Sequence, residues 1–226
     1  MEVGVLFTGG KDSTYSLYLA SKENTVRCLI NITSNSLDSY MFHTVASNLV
    51  KLQSEALDLP LVTASTEAVK EKELNDLESV IKVAKDRYNI QGIVTGAIES
   101  RYQSDRVSAI AGRLGLKVIN PLWHTDVRKY MHNLVDEGFK VMIVSVSADG
   151  LTKDLLGRVI DDDLLNKLER LSEKYNFHLA FEGGEAETAV IDAPMFKKKI
   201  IIDDYSVESD GMKSFIIIDK AHLVNK

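Results

Sequence analysis

Apolar positions recur along the first half of the chain in two alternating rhythms. Residues 3–7, 26–32, 61–64, 92–95 and 117–120 are short, nearly unbroken apolar runs, the pattern of strands buried on both faces. Between them the spacing turns helical. Tyr15, Leu17, Tyr18 and Leu19 give residues 13–21 an apolar surface, and Met41, Phe42, Val45, Leu49, Leu52 and Ala56 predict a second helix. Leu74, Leu77, Ile81, Ala84 and Tyr88 predict a third, and residues 104–114 a fourth that Gly115 ends. Repeated strand-helix-strand units with apolar strands predict an α/β fold: a Rossmann-like parallel sheet covered on both faces. The second half reads differently. A strand at 141–146 precedes a helix at 163–175 with Leu164, Leu165, Leu168 and Leu171, and three short strands follow at 188–192, 200–203 and 215–218. A smaller α+β C-terminal domain is expected, with the boundary near residues 121–126. The expected division is a nucleotide-binding domain over 1–123 and a substrate-binding domain over 124–226.

Composition narrows the classes. The 226 residues, 45% hydrophobic with 3 prolines, suffice for a sizeable core. A formal charge of -6 disfavours nucleic acid as a partner gripped over the whole surface. The single cysteine, Cys28, makes neither an intramolecular disulfide nor a cysteine zinc site. There is no basic leader and no apolar stretch of membrane-spanning length, so no membrane is expected as partner and the cytoplasm is the expected location. His43, His124, His132, His178 and His222 are scattered without metal-ligand spacing. Pairing of two copies through the second half is a further expectation.

Two stretches carry chemistry. Thr8-Gly9-Gly10-Lys11-Asp12-Ser13 lies between the first predicted strand and helix. Two glycines there make an ordinary sharp turn in most proteins. Here they are joined by two hydroxyls, a cation and the positive end of a helix, which together suit a polyanion. The spacing is neither G-x-x-x-x-G-K-[ST] nor G-x-G-x-x-G. Gly96 and Ala97, beyond the fourth strand, are small enough for an adenine or ribose to lie on the backbone. The other stretch is residues 181–199, where Glu182, Glu185 and Glu187 surround Gly183 and Gly184. Three carboxylates on one short loop repel unless a cation or donor accompanies them. A solvated acidic turn is the plain alternative.

The hexapeptide resembles the PP-loop, S-G-G-x-D-S, with Thr8 in the first serine position. That resemblance implies an enzyme that splits ATP between its α and β phosphates. It implies that Thr8, Gly9, Gly10, Lys11, Asp12 and Ser13 hold the pyrophosphate end, with Mg²⁺ at Asp12. Further motifs resemble the diphthine–ammonia ligase family over nearly the whole chain: Gly96-Ala97-Ile98, Ser100-Arg101-Tyr102-Gln103 with Arg106, Arg113 to Leu116, and Pro121-Leu122-Trp123. Gly150-Leu151, Leu156-Gly157-Arg158, Glu182 to Thr188, and Asp192-Ala193-Pro194 with Phe196 complete the set. Ala186 departs from the pattern, which usually has an aromatic there.

The resemblance implies ATP-dependent amidation of diphthine on elongation factor 2. An acyl-adenylate, AMP and pyrophosphate would form, with free ammonium as the nitrogen source. It makes Glu182, Glu185 and Glu187 the candidate catalytic carboxylates, attracting ammonium or the trimethylammonium of diphthine, or taking a proton. It makes Gly96 and Ala97 cofactor contacts, and Tyr102, Gln103, Gly183, Gly184 and Thr188 substrate contacts. Residues 33–40 are a candidate adenine contact. A PP-loop enzyme with another acceptor such as tRNA, and a non-catalytic ATP sensor, stay open.

Overall fold

The apolar runs become a parallel sheet. The computed structural model describes residues 1–34, 49–66, 72–211 and 213–226. Its first sheet comprises β1 (Glu2–Leu6), β2 (Thr25–Ser34), β3 (Leu61–Thr66), β4 (Gly92–Val94) and β5 (Lys117–Ile119). The order is β3-β2-β1-β4-β5, with every neighbouring pair parallel. The chain therefore reverses its direction of travel across the sheet between β1 and β4. A crevice opens beyond the carboxyl ends of strands at such a switch point.

Helices α1 (Lys11–Ser21), α2 (Leu49–Leu57), α3 (Lys72–Tyr88) and α4 (Arg101–Arg113) make the connections. The two-residue period of the strands divides the core. Val3, Val5, Phe7 and Leu29 face α1 and α2, while Cys28, Ile30, Ile32 and Ile93 face Leu77, Ile81, Val107 and Ile110 of α3 and α4. Met41, Phe42, His43 and Val45 of the second predicted helix lie outside the described residues, as do positions 35–40 of the predicted adenine contact.

The second half comprises α5 (Val127–Asp136), β6 (Lys140–Val146), a 3₁₀ turn (Lys153–Leu155), α6 (Asp162–Tyr175), β7 (Ala186–Asp192), β8 (Lys198–Asp210) and β9 (Lys213–Asn225). Its sheet is antiparallel, in the order β7-β6-β9-β8. Two features differ from the sequence reading. Helix α5 is not among the predicted elements. Its buried residues are only Tyr130, Met131 and Leu134, set among charged and polar neighbours, and the Asp126 carboxylate starts it by accepting from the Lys129 N–H at 2.9 Å. Strands β8 and β9 are 13 residues each, far longer than the predicted runs. Their polar outer portions are held by the ladder from Lys198↔Asn225 to Asp210↔Lys213, and backbone pairing leaves no apolar signature.

The expected 123/124 division falls between β5 and α5, and one hydrophobic core runs across it. Tyr15 and Leu17 of α1 share one core with Tyr130 and Met131 of α5 and with Val141, Ile143 and Val190 of the second sheet. Among the described residues no helix is long and apolar enough to cross a membrane.

Candidate active site

The glycine loop sits where β1 gives way to α1, and other elements fix it from several sides. Gly9 has φ +79°, and a Cβ there would lie 2.1 Å from Gln53 Oε1. Gln53, on the buried face of α2, is fully enclosed. Its Nε2 donates to the Gly9 and Val190 carbonyls, both at 2.8 Å. The Val190 N–H of β7 donates to the same Gly9 carbonyl at 3.0 Å. Next in the chain, the Lys11 N–H donates to Thr188 Oγ1 at 3.2 Å. Within the loop, Ser13 Oγ accepts from the Thr8 N–H at 3.2 Å and lies 3.2 Å from Thr8 Oγ1. Gly10 is the N-cap of α1 and brings no side chain to it; its own N–H donates to Thr8 Oγ1 at 3.4 Å. The start of the helix is therefore lined by the Thr8 and Thr188 hydroxyls, and the helix dipole there favours an anion.

Lys11 does not extend freely into the crevice. Its side chain is 2% exposed. Nζ donates to both oxygens of Asp12, at 2.8 and 2.9 Å, and to the Ala180 carbonyl at 2.5 Å. The Phe181 ring centroid lies 5.5 Å from the same ammonium. Asp12 Oδ1 also accepts from the Tyr130 hydroxyl at 2.8 Å. Burial foremost, and then the Asp12 charge, push the Tyr130 hydroxyl well above its ordinary range, so it remains a donor at neutral pH.

Gly96 lines the cavity, and its smallness also serves packing. A Cβ there would lie 2.9 Å from the Asp12 carbonyl carbon and the Ser13 nitrogen. Its missing side chain makes room for the first turn of α1.

The three loop carboxylates are each engaged. Glu182 Oε1 accepts from the N–H groups of Ile98, Glu99 and Ser100 at 3.4, 3.2 and 3.0 Å, tying the loop to the residues that lead into α4. Glu185 folds back on its own loop, accepting from the His178 N–H through Oε1 and the Gly183 N–H through Oε2, each at 2.9 Å. Glu187 Oε1 pairs with Lys213 Nζ, from the start of β9, at 2.7 Å.

A cavity of about 230 Å³ joins these pieces. Its polar end is Thr8, Gly10, Lys11, Asp12 and Ser13, facing Gly96, Ala97, Gln103, Glu182, Gly184, Glu187 and Thr188. Its apolar wall is Leu6, Ile30, Ile32, Leu77 and Val107, suited to a flat ring or an alkyl chain. Gly9, Tyr102, Gly183 and Glu185 do not line it. Gly9 and Glu185 brace the walls. The Tyr102 ring lies under the Arg106 guanidinium at 3.3 Å, and Gly183 is exposed. The site also uses residues that the motifs did not single out: Gln53, Tyr130, His178, Phe181 and Lys213. Gln53 alone left a signal, as a polar residue on the apolar face of an amphipathic helix. Cys28 is buried in β2, where burial pushes its thiol up to about 12.

Among the described residues no group of three His, Cys, Asp or Glu forms a metal cage. A phosphate-bound Mg²⁺ needs only one or two protein carboxylates, and Asp12, 32% exposed at the cavity, fits that demand.

Comparison with known proteins covers the chain nearly end to end. The diphthamide synthase N-terminal domain family matches residues 1–118, and the diphthamide synthase C-terminal domain family matches residues 126–224. The human protein named diphthine–ammonia ligase is 35% identical over 95% of this chain and 88% of its own length. The chain belongs to the diphthine–ammonia ligase family. The zebrafish (Danio rerio) ligase is 36% identical over 100% of this chain and 98% of its own length. The Schizosaccharomyces pombe ligase is 34% identical over 92% of this chain and 37% of its own much longer one. Among solved structures, a predicted subunit of tRNA methyltransferase from Methanocaldococcus jannaschii DSM aligns with TM-score 0.46 at 16% identity, over 86% of this chain and 98% of that one. A likeness that weak says nothing of function.

Several ligase-family motifs serve packing in this chain. Tyr205 lies over Gly157, and the Tyr175 ring lies against Gly150, both glycines at positive φ. Ala186 lines the cavity.

Proposed function

We propose that this chain joins ammonia to the carboxylate of diphthine on elongation factor 2, at the expense of ATP. Membership of the ligase family over the whole chain carries the reading. The geometry supports it, because Thr8, Gly10, Lys11, Asp12 and Ser13 of the glycine loop and Glu182, Gly184 and Glu187 of the acidic loop line one cavity. The pyrophosphate end of ATP would lie against Thr8, Gly10 and Ser13 at the start of α1, where the helix dipole and the hydroxyls of Thr8, Ser13 and Thr188 favour accumulating negative charge. Mg²⁺ would be held by Asp12 together with the phosphates, and would supply charge neutralisation there. Adenine would take the apolar wall around Ile30, Ile32, Leu77 and Val107.

The diphthine carboxylate oxygen attacks the α-phosphorus, the α–β bond breaks, and pyrophosphate leaves. Ammonia then attacks the acyl carbon, AMP leaves, and the extra proton of the nitrogen passes to a base. Glu182 and Glu187 are the loop carboxylates on the cavity wall, and Glu187, paired with Lys213, could pass a proton within that pair. Glu182 and Glu185 also hold the loop in shape through the backbone N–H groups they accept. The buried thiol of Cys28 opposes a cysteine-persulfide route to sulfur transfer. The reaction belongs in the cytoplasm, where elongation factor 2 works.

Product analysis with ATP, Mg²⁺, ammonium and elongation factor 2 carrying diphthine tests the reading. AMP, pyrophosphate and diphthamide should appear together and depend on the diphthine. AMP without amidation would point to another acceptor. ATP binding with no AMP would point to a sensor.

A further inference from the structure

The geometry points to Tyr130 as a positioning residue that holds the Asp12 carboxylate ready for a phosphate-bound divalent cation. The inference rests on the reading above. Asp12 receives three hydrogen bonds. Two come from Lys11 Nζ, one to each oxygen, and the third comes from the Tyr130 hydroxyl to Oδ1 at 2.8 Å. The two donors are not equivalent. The lysine brings a positive charge that competes with a cation for the carboxylate. The tyrosine fixes the carboxylate's orientation and brings no charge.

Tyr130 is itself rigid. It is 1% exposed, with its ring against Tyr15 at a centroid distance of 5.3 Å. It sits one turn into α5, whose start is capped by Asp126. Asp12 keeps 32% of its side chain exposed, and it lines the cavity. A carboxylate fixed by buried donors while partly exposed on an open cavity is preorganised for a cation. Tyr130 belongs to the C-terminal half. The second half therefore completes the phosphate site as well as any acceptor site.

The test uses the full chain and its Tyr130→Phe variant, which keeps the ring packing and removes the hydroxyl. Calorimetry measures ATP affinity across a Mg²⁺ titration, and thermal unfolding reports the fold. In the variant, ATP affinity without Mg²⁺ should stay within about twofold of wild type. The Mg²⁺ concentration that half-saturates the affinity gain should rise about tenfold, as expected for one lost hydrogen bond to a charged group. In an Asp12→Asn background the same substitution should add almost nothing, because the hydroxyl acts through that carboxylate. An unchanged Mg²⁺ requirement would overturn the positioning role. So would an equal loss of ATP affinity with and without Mg²⁺, which would make Tyr130 a packing residue only. Failure of the wild-type protein to bind ATP at all would remove the functional reading and the inference with it.

Discussion

Glu182 Oε1 accepts a hydrogen bond at 3.0 Å from the backbone N–H of Ser100, the N-cap residue of α4. Residues 82 apart in sequence thus close one side of the cavity. The same oxygen also serves the two preceding N–H groups. Glu182→Ala should lower stability by about 1–2 kcal/mol, the scale of a lost helix cap. Glu182→Gln keeps an acceptor oxygen and should retain most of that stability in urea unfolding. Equal losses for the two variants would show that charge, not hydrogen-bond acceptance, holds this contact.

Glu185 should behave in the opposite way. Both of its oxygens accept, one from His178 N–H and one from Gly183 N–H. A glutamine must turn its NH₂ toward one of those donors. Glu185→Gln should therefore be nearly as damaging to amidation as Glu185→Ala. ATP affinity should fall less than amidation in both, since no hydrogen bond of the glycine loop runs through Glu185. A fully active glutamine variant in steady-state assays would contradict this account.

Gly9 and Gly10 look equivalent in sequence and should not be equivalent in substitution. Alanine at Gly9 combines positive φ with a contact to a side chain that is tied to two carbonyls. It should cost about 3 kcal/mol. Alanine at Gly10 finds φ -78° and a nearest contact of 3.2 Å, so it should cost clearly less. Denaturant midpoints rank the two, and the reverse order would refute the argument.

Alkaline pH should weaken the fold. Burial raises Cys28 from 9.0 to about 12. Burial first, and then Glu137, raise Tyr15 from 10.0 to about 12. Both groups are neutral when protonated, and the unfolded chain loses their protons earlier than the native chain. Their stabilisation is therefore fully present below pH 9 and is lost progressively between pH 9 and 12. Thermal unfolding at successive pH values should show the decline, and Cys28→Ala should make its first part shallower. A flat profile to pH 11 would contradict the assigned burial.

Much of this site was legible locally. The strand-glycine-helix junction at Thr8–Ser13 announces itself because chain chemistry and helix polarity act within six residues. The parallel sheet follows from apolar runs that must be covered on both faces. The acidic loop was visible as a cluster, but its carboxylates read as mutually repelling groups. Their partners, the backbone of residues 98–100, the loop's own N–H groups and Lys213, become neighbours only in the folded chain.

The sequence by itself determined the alternation of strands and helices in the first half, the position of the phosphate-type loop and the family of the chain, because each is written in short-range pattern or in motif order. Only the tertiary structure decided that Lys11 turns onto Asp12 and Ala180, that Gly96 yields its space to α1, and that Tyr130 and Gln53 hold the loop from other elements. Apart from the adjacent Lys11–Asp12 pair, these contacts join residues far apart in the chain, 44 positions for Gln53 and Gly9 and 169 for Lys11 and Ala180. They depend on how two sheets share one core, which no local periodicity records.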